Sequence, residues 1–364
     1  TMITTTLKSI PQKILVITLR HLGDVILTTP LISSLHHAYP NACIDILVYT
    51  NTAPILKNNP AINRIITVNK KPSFHEYKVL LKKLFRQYDL AVVTQTGDRP
   101  LIYSLFSSKT RISVVPEQNQ KGSWKHHFFQ GWVEFDDEKT HTVLQLLKLM
   151  DTINQKKVFH LTPPTNNTNK ICTLLPSKIQ QYAVLHLYPL WTYKQWTLNG
   201  WQQIATHLLD KGINIVLTGG PDLDEINYVT QFQQSLPGSA INLAGKTSLA
   251  ELADIIKDAQ LFIGPDTGTT HLASATGTPI IAIYGPTNPV KWAPWPQDYT
   301  SEKNPFKKTG SQIINNVHLI QGEASCVPCH LEGCGRHRQS RSDCLDTLPA
   351  SKVIQAIDAI LLQN

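Results

Sequence analysis

The sequence has 364 residues, 41% of them hydrophobic and 16% charged, which excludes a disordered chain and leaves room for two ordinary domains. A formal net charge of +8 favours anionic partners such as nucleotides, phosphorylated sugars or acidic lipid surfaces. Lys and Arg are spread out, with no basic block longer than Lys70-Lys71 or Lys82-Lys83, which ranks nucleic acid low.

In chain order, residues 13–19 form an apolar, β-branched run that predicts a buried parallel strand. Residues 20–24 form a loop. Apolar positions 27, 31, 35 and 38 then predict a helix over 25–39, in which Pro30 is awkward unless it lies in the first turns or marks a kink. Strands are expected at 43–49, 65–68 and 90–94, a short helix at 52–58, and an amphipathic helix at 74–87. Residues 112–115 suggest a further strand. The loop 122–134 carries Trp124, His126, His127, Phe128, Phe129 and Trp132, whose rings suit a membrane interface or a sugar ring but are expected to pack on the domain. A helix is expected at 140–152.

The polar, proline-bearing stretch 162–170 reads as a linker. After it the strand–helix rhythm restarts: strands at 182–187, 213–218, 259–263 and 280–284, and helices at 197–211, 225–235, 249–258 and 270–276. A loop-rich section, 287–347, precedes a last helix at 350–362. The fold class is therefore α/β, two doubly wound halves with a cleft expected between them. No apolar stretch reaches the roughly 18–20 residues that cross a bilayer, and residues 1–12 lack the features of a signal peptide. A cytoplasmic chain is expected, resting at most on a membrane surface.

Three stretches carry candidate chemistry. Gly23-Asp24 follows the first strand and opens a helix, where ligands of open α/β sheets bind. Asp24 suits a general base or an N-cap. Gly23 permits close approach of a ligand, and Arg20 and His21 suit an acidic substrate. Lys194 stands in the loop before the first helix of the second half, where a lysine reaches a phosphate as a mobile charge. Gly264-Pro265-Asp266-Thr267-Gly268 is a strand-to-helix turn whose backbone N–H groups and helix dipole suit an anion. Asp266 is expected to shape this turn by capping, while Thr267 and Gly268 lend their N–H groups.

Together these stretches, with His271-Leu272, Tyr284-Gly285-Pro286-Thr287 and the Lys194-x-Trp196 pattern, resemble glycosyltransferase family 9, the ADP-heptose:lipopolysaccharide heptosyltransferases. The resemblance runs in order from Lys13 to about Leu362. It implies the GT-B fold: a Rossmann-like acceptor domain over 1–165, a Rossmann-like nucleotide-sugar domain over 166–345, and a helix over 346–364 packing back on the first domain. It implies inverting transfer of heptose from ADP-heptose to the lipid-borne inner core, at the cytoplasmic face of the inner membrane. Asp24 matches the family's general base and Lys194 its phosphate-neutralising lysine. Asp266, Thr267 and Gly268, with His271, match its diphosphate loop. No metal is needed for catalysis under this reading. Where some relatives place hydroxyls before the lysine, Tyr188-Pro189-Leu190 stand here and only Thr192 offers one. Asp222, or Asp224, after Gly219-Gly220 is a loose match for a ribose contact. A non-catalytic nucleotide-sugar binding protein on the same fold is the rival reading.

Cys326, Cys329, Cys334 and Cys344 place four thiols within nineteen positions, the first two as C-x2-C. Zinc or iron suits such thiolates; free thiols and a disulfide are the alternatives, the last disfavoured in a reducing compartment. The four cysteines resemble the iron-bound cysteine cluster of the autotransporter-type heptosyltransferases, a branch that modifies protein Ser/Thr hydroxyls, and this resemblance makes a protein acceptor the alternative substrate.

Overall fold

The structure, a computed structural model, describes residues 1–166, 174–176 and 179–363. The chain forms two compact units. One comprises Thr1–Pro164 with Thr300–Lys303, the other Thr165–Tyr299 with Asn304–Asn364. The expected linker at 162–170 lies partly outside the described residues.

The first unit runs β1 (Met2–Ile3), β2 (Lys13–Thr18), α1 (Leu22–Leu27), α2 (Thr29–Ala38), β3 (Cys43–Tyr49), β4 (Arg64–Val68), α3 (Phe74–Leu84), β5 (Leu90–Val93), α4 (Asp98–Ser107), β6 (Arg111–Val115), β7 (Gly131–Glu134) and α5 (Thr142–Thr152). Its sheet order is β1-β7-β6-β5-β2-β3-β4, parallel except at β1. The central strands are buried on both faces, which is why they read as unbroken Ile/Leu/Val runs. Where one helix was expected over 25–39 there are two, meeting at Thr28. Proline has no N–H to donate, and Pro30 sits in the first turn of α2, where none is needed. Helix α4 and strand β7 were not expected; Pro100 obscures the first and the aromatic loop the second. That loop divides: Phe129 and Trp132 are buried, whereas Trp124 and Phe128 stay exposed. Lys157 ties the Thr300–Lys303 segment down, with its ammonium 2.8 Å from Asp151 and 3.0 Å from Glu302.

The second unit runs β8 (Tyr182–His186), α6 (Leu198–Asp210), β9 (Asn214–Thr218), α7 (Leu223–Gln234), β10 (Ala240–Asn242), α8 (Leu249–Lys257), β11 (Leu261–Pro265), α9 (Gly268–Ala275), β12 (Ile280–Tyr284), α10 (Pro289–Trp292), β13 (Gln312–Ile314), β14 (Val317–Gln321), α11 (Asp343–Asp346) and α12 (Ala350–Leu361). The order is β10-β9-β8-β11-β12-β14-β13, antiparallel only at β13. The section 287–347 thus hides two strands. The last helix, α12, belongs to the second unit. Val353, Ile357 and Ile360 are buried in the second unit's core with Trp201, Ile204 and Leu208 of α6. Its apolar stripe at 3.6-residue spacing finds its partner in the stripe on α6. No helix among the described residues is long and apolar enough to cross a membrane.

Candidate active site

Each sheet grows in both directions from its first long strand, and each candidate motif lies where that growth reverses. In the second unit β8 and β11 are neighbours, with β9 and β10 to one side and β12, β14 and β13 to the other. Loops leaving the C-terminal ends of such a pair diverge and leave a crevice. The loop after β8 carries Lys194 and the loop after β11 carries Asp266, and the two side chains meet at 2.8 Å.

Lys194 ends a single 3-10 turn, Thr192–Lys194, which is held from both sides. The Thr192 N–H donates to the Arg338 carbonyl at 2.9 Å, and the Ser342 hydroxyl to the Tyr193 carbonyl at 2.6 Å. The Arg338 guanidinium lies 4.2 Å from the centre of the Trp191 ring. Two residues on, Trp196 is buried and its indole N–H donates to the Leu348 carbonyl at 3.1 Å. Its ring fills the space where a Cβ on Gly200 would stand. The tryptophan of the Lys-x-Trp pattern is therefore the anchor that fixes where the lysine begins its reach.

Asp266 does not cap α9, contrary to expectation. Thr267 is the N-cap, accepting from the Thr270 N–H, while the Thr270 hydroxyl donates to the Pro265 carbonyl at 2.6 Å. The Asp266 carboxylate instead takes Lys194 and a hydrogen bond from the Thr287 hydroxyl at 2.7 Å. Burial raises its pKa, but Lys194, His271 and Thr287 outweigh this and hold the carboxyl below its ordinary value. His271 is buried one turn into α9. A Cβ on Gly264 would meet the Phe262 ring and the Thr270 hydroxyl at 2.8 Å, so only glycine lets the strand enter this turn. The result is a fixed ammonium beside the N–H groups that open α9, an arrangement suited to a diphosphate.

A third loop, after β9, opens α7, whose first turn adds a half-buried acid, Glu225, that the sequence reading missed. Asp222 is the N-cap of α7, accepting from the Asp224 N–H at 2.9 Å and the Glu225 N–H at 3.4 Å. Glu225 lies over the Gly219-Gly220 turn, where Cβ atoms would stand 3.1 and 3.0 Å from its carboxylate oxygens. Burial raises its pKa. Its neighbour His186 accepts or donates at 3.0 Å to the Thr218 hydroxyl. Burial pushes that imidazole down to about 4, so it is neutral near pH 7 and its 3.9 Å approach to Glu225 is not an ion pair. Helical capping explains Asp222 from sequence; the role of Glu225 depends on which side of α7 faces the turn.

In the first unit the reversal lies between β2 and β5. Asp24 is the third residue of α1, not its N-cap; that position belongs to His21, whose side chain makes no capping bond. The carboxylate is mostly buried and stands 3.6 Å from the Arg20 guanidinium. Gly23 is the residue before it in the same turn. Gln95, after β5, locks the start of this loop: its carbonyl oxygen accepts from the Leu19 N–H at 2.6 Å and its amide donates to the Leu19 carbonyl at 3.2 Å.

The cysteine-bearing loop braces the lysine turn through Arg338 and Ser342, and it presses on Gly285, where a Cβ would meet Leu345 at 2.7 Å and the Cys344 sulfur at 3.0 Å. Burial, then Cys329, Cys334 and Cys326, push the Cys344 thiol up to about 11. Cys326, Cys329, Cys334 and Cys344 are free thiols, and among the described residues no group of three or more His, Cys, Asp or Glu side chains is placed to hold a metal ion.

Comparison with known proteins agrees with the fold and with the family resemblance. Residues 80–314 match the model of glycosyltransferase family 9 (heptosyltransferase). The chain is 30% identical to lipopolysaccharide heptosyltransferase 3 of Escherichia coli, over 94% of this chain and 97% of that one. Among solved structures it is similar to a glycosyl transferase family 9 protein of Veillonella parvula, with TM-score 0.76 and 20% identity over 97% of this chain and 98% of the other. It is also similar to the E. coli ADP-heptose lps heptosyltransferase II, with TM-score 0.73 and 20% identity over 96% and 99%.

Proposed function

The chain belongs to glycosyltransferase family 9, the heptosyltransferases, and on that premise we propose that it transfers heptose from ADP-heptose to the inner core of lipopolysaccharide with inversion. The observation that carries the donor half is the Lys194–Asp266 pair beside the N-terminus of α9, at the sheet reversal of the second unit. As the bond between the sugar and the diphosphate breaks, negative charge grows on the leaving oxygens. An ammonium on a braced turn and the N–H groups of Gly268 and its neighbours are in place before that charge develops. Glu225, over the Gly219-Gly220 turn, is the acid proposed to accept from a ribose hydroxyl, with Asp222 kept for the cap of α7. Thr192 and His271 complete the donor side.

Asp24 is the proposed general base. It removes the proton from the acceptor hydroxyl as that oxygen attacks the anomeric carbon, and the diphosphate leaves with the electron pair. Arg20 and His21 are proposed to meet the acidic acceptor. No step of this scheme is assigned to a metal. A nucleotide-sugar donor and a lipid-borne acceptor locate the reaction at the cytoplasmic face of a membrane.

The test is a mass-spectrometric transfer assay with ADP-heptose against a lipid core acceptor and a protein acceptor. Heptose added to the lipid core supports the proposal, and addition to the protein alone overturns the acceptor assignment. Elemental analysis of protein purified without added metal tests the four thiols separately: less than about a tenth of an equivalent of zinc plus iron rules out a tightly held site.

A further inference from the structure

Helix α3 is amphipathic, but its outer side is not the usual solvated one. Its inner side is complete: Leu80 and Leu84 are buried in the first unit's core, with Tyr77 and Leu81 packed against it. The apolar residues left over face outward. Phe74, at the first turn, is 82% exposed; Val79 is 51% exposed; Phe85, just past the last turn, is 54% exposed. Scattered exposed apolar side chains are ordinary. These three instead share one element with a row of cations, because Lys78, Val79 and Lys82 lie at i, i+1 and i+4 on the face opposite Leu80 and Leu84.

The charge on this face is one-sided. Residues 74–86 carry four Lys or Arg and one carboxylate, Glu76. Glu76 closes a capping box, accepting from the Ser73 N–H, and also accepts from the Asn69 amide at 3.1 Å. None of the four cations takes part in an ion pair among the described residues. Past the helix, the Arg86 guanidinium rests 5.8 Å from the centre of the Phe85 ring, and that ring stands edge-on to Phe106 at 6.3 Å. An 11-residue helix is about 16 Å long, so the two aromatic groups bracket the cations at its ends.

We propose that this face of α3, with Phe74 and Phe85 as its aromatic ends and Lys78, Lys82 and Arg86 between and beside them, docks on the surface of an anionic lipid bilayer. Charge complementarity selects the occupant. Rings at the headgroup level with Lys and Arg beside them fit an interface that is apolar beneath and negative above, whereas a neutral protein surface would leave the unpaired cations desolvated. The inference deepens the reading of a lipid-borne acceptor, but vesicle binding is measured without turnover. Its failure is therefore distinguishable from failure of the transfer reading.

The experiment is co-sedimentation of the full chain with vesicles of phosphatidylethanolamine and phosphatidylglycerol, and with vesicles of phosphatidylcholine alone. Binding to the anionic vesicles only, weakened by added salt, is expected. The Lys78→Glu/Lys82→Glu variant should bind at least tenfold more weakly, since each cation near an anionic surface contributes about a fivefold factor. Phe74→Ser/Phe85→Ser should also weaken binding while leaving its salt dependence in place. A matched control, Lys257→Glu/Lys308→Glu, changes net charge equally at exposed positions of the second unit and should bind like the parent. Thermal melts check that every variant is folded. Equal weakening by the control would show that net charge acts and not this face; parental binding in both α3 variants, or no binding by the parent, would likewise overturn the proposal. Capture of an acidic protein with no affinity for the anionic vesicles would do so too.

Discussion

The Lys194 ammonium and the Asp266 carboxylate meet at 2.8 Å, although the two residues are 72 positions apart in the chain. They meet because β8 and β11 are neighbours in the sheet while the chain between them builds the other side. The carboxylate does not compete with a diphosphate for the site's purpose: it fixes the ammonium, and the α9 N–H groups remain beside it. Lys194→Ala leaves a buried carboxylate without its cation, which costs about 3–5 kcal/mol in comparable buried pairs. ADP affinity and the melting temperature should therefore both fall. Asp266→Asn should lower ADP affinity less than Lys194→Ala does. In a double-mutant cycle for ADP binding, measured by calorimetry, the two positions should couple by about 0.5–3 kcal/mol; strict additivity would mean that the pair does not act as a unit.

Asp24 should separate chemistry from donor binding. Asp24→Asn keeps the shape of the turn and removes the base, so turnover should fall by about 10²–10⁴. ADP affinity should stay within about twofold of the parent, since Asp24 belongs to the first unit and the Lys194 site to the second. Turnover unchanged in this variant would remove Asp24 from the mechanism.

His186 gives a stability that depends on pH. An unfolded imidazole titrates near 6.5, whereas burial holds the folded one down at about 4. Between these values the unfolded chain binds a proton that the folded chain does not. Stability should thus fall as pH drops from about 6.5 to about 4 and change no further below that, by on the order of 3 kcal/mol in all. Asp45 and Asp266, both with lowered pKa values, lose their contributions at lower pH, as each falls through its folded value. Urea midpoints at pH 7 and pH 5 check this: His186→Gln should show the smaller drop between the two.

Gly322 tests the brace beneath the lysine turn. A Cβ there would overlap the Cys344 carbonyl, a backbone group that cannot step aside as a side-chain end can. Gly322→Ala should displace the chain around Cys344, cost about 1–3 kcal/mol as overpacking does, and expose a thiol that is now buried. Faster reaction of Cys344 with a thiol reagent, read by mass spectrometry, is the expected sign. A parental melting temperature with parental reactivity would show that the loop yields without strain.

The sequence by itself determined the two α/β halves, most of the buried strands and the three motifs, because each depends on local spacing: unbroken apolar runs for strands buried on both faces, 3.6-residue stripes for helices, and glycine where a turn is crowded. Asp24, Lys194 and the Asp266-Thr267-Gly268 turn were legible on those terms. What tertiary structure alone decided are relationships between distant residues. Asp266 reads as a cap until β8 brings Lys194 beside it, and Thr267 then does the capping. Glu225 reads as a surface acid until α7 lays it over Gly219-Gly220. The last helix carries an apolar stripe that nothing local assigns to a partner; α6 supplies it. Cys344 follows the other three cysteines of its loop by ten or more positions, and the fold of the loop brings their charges to bear on its thiol. Local pattern sets which elements form, and the order of strands in each sheet sets which side chains meet.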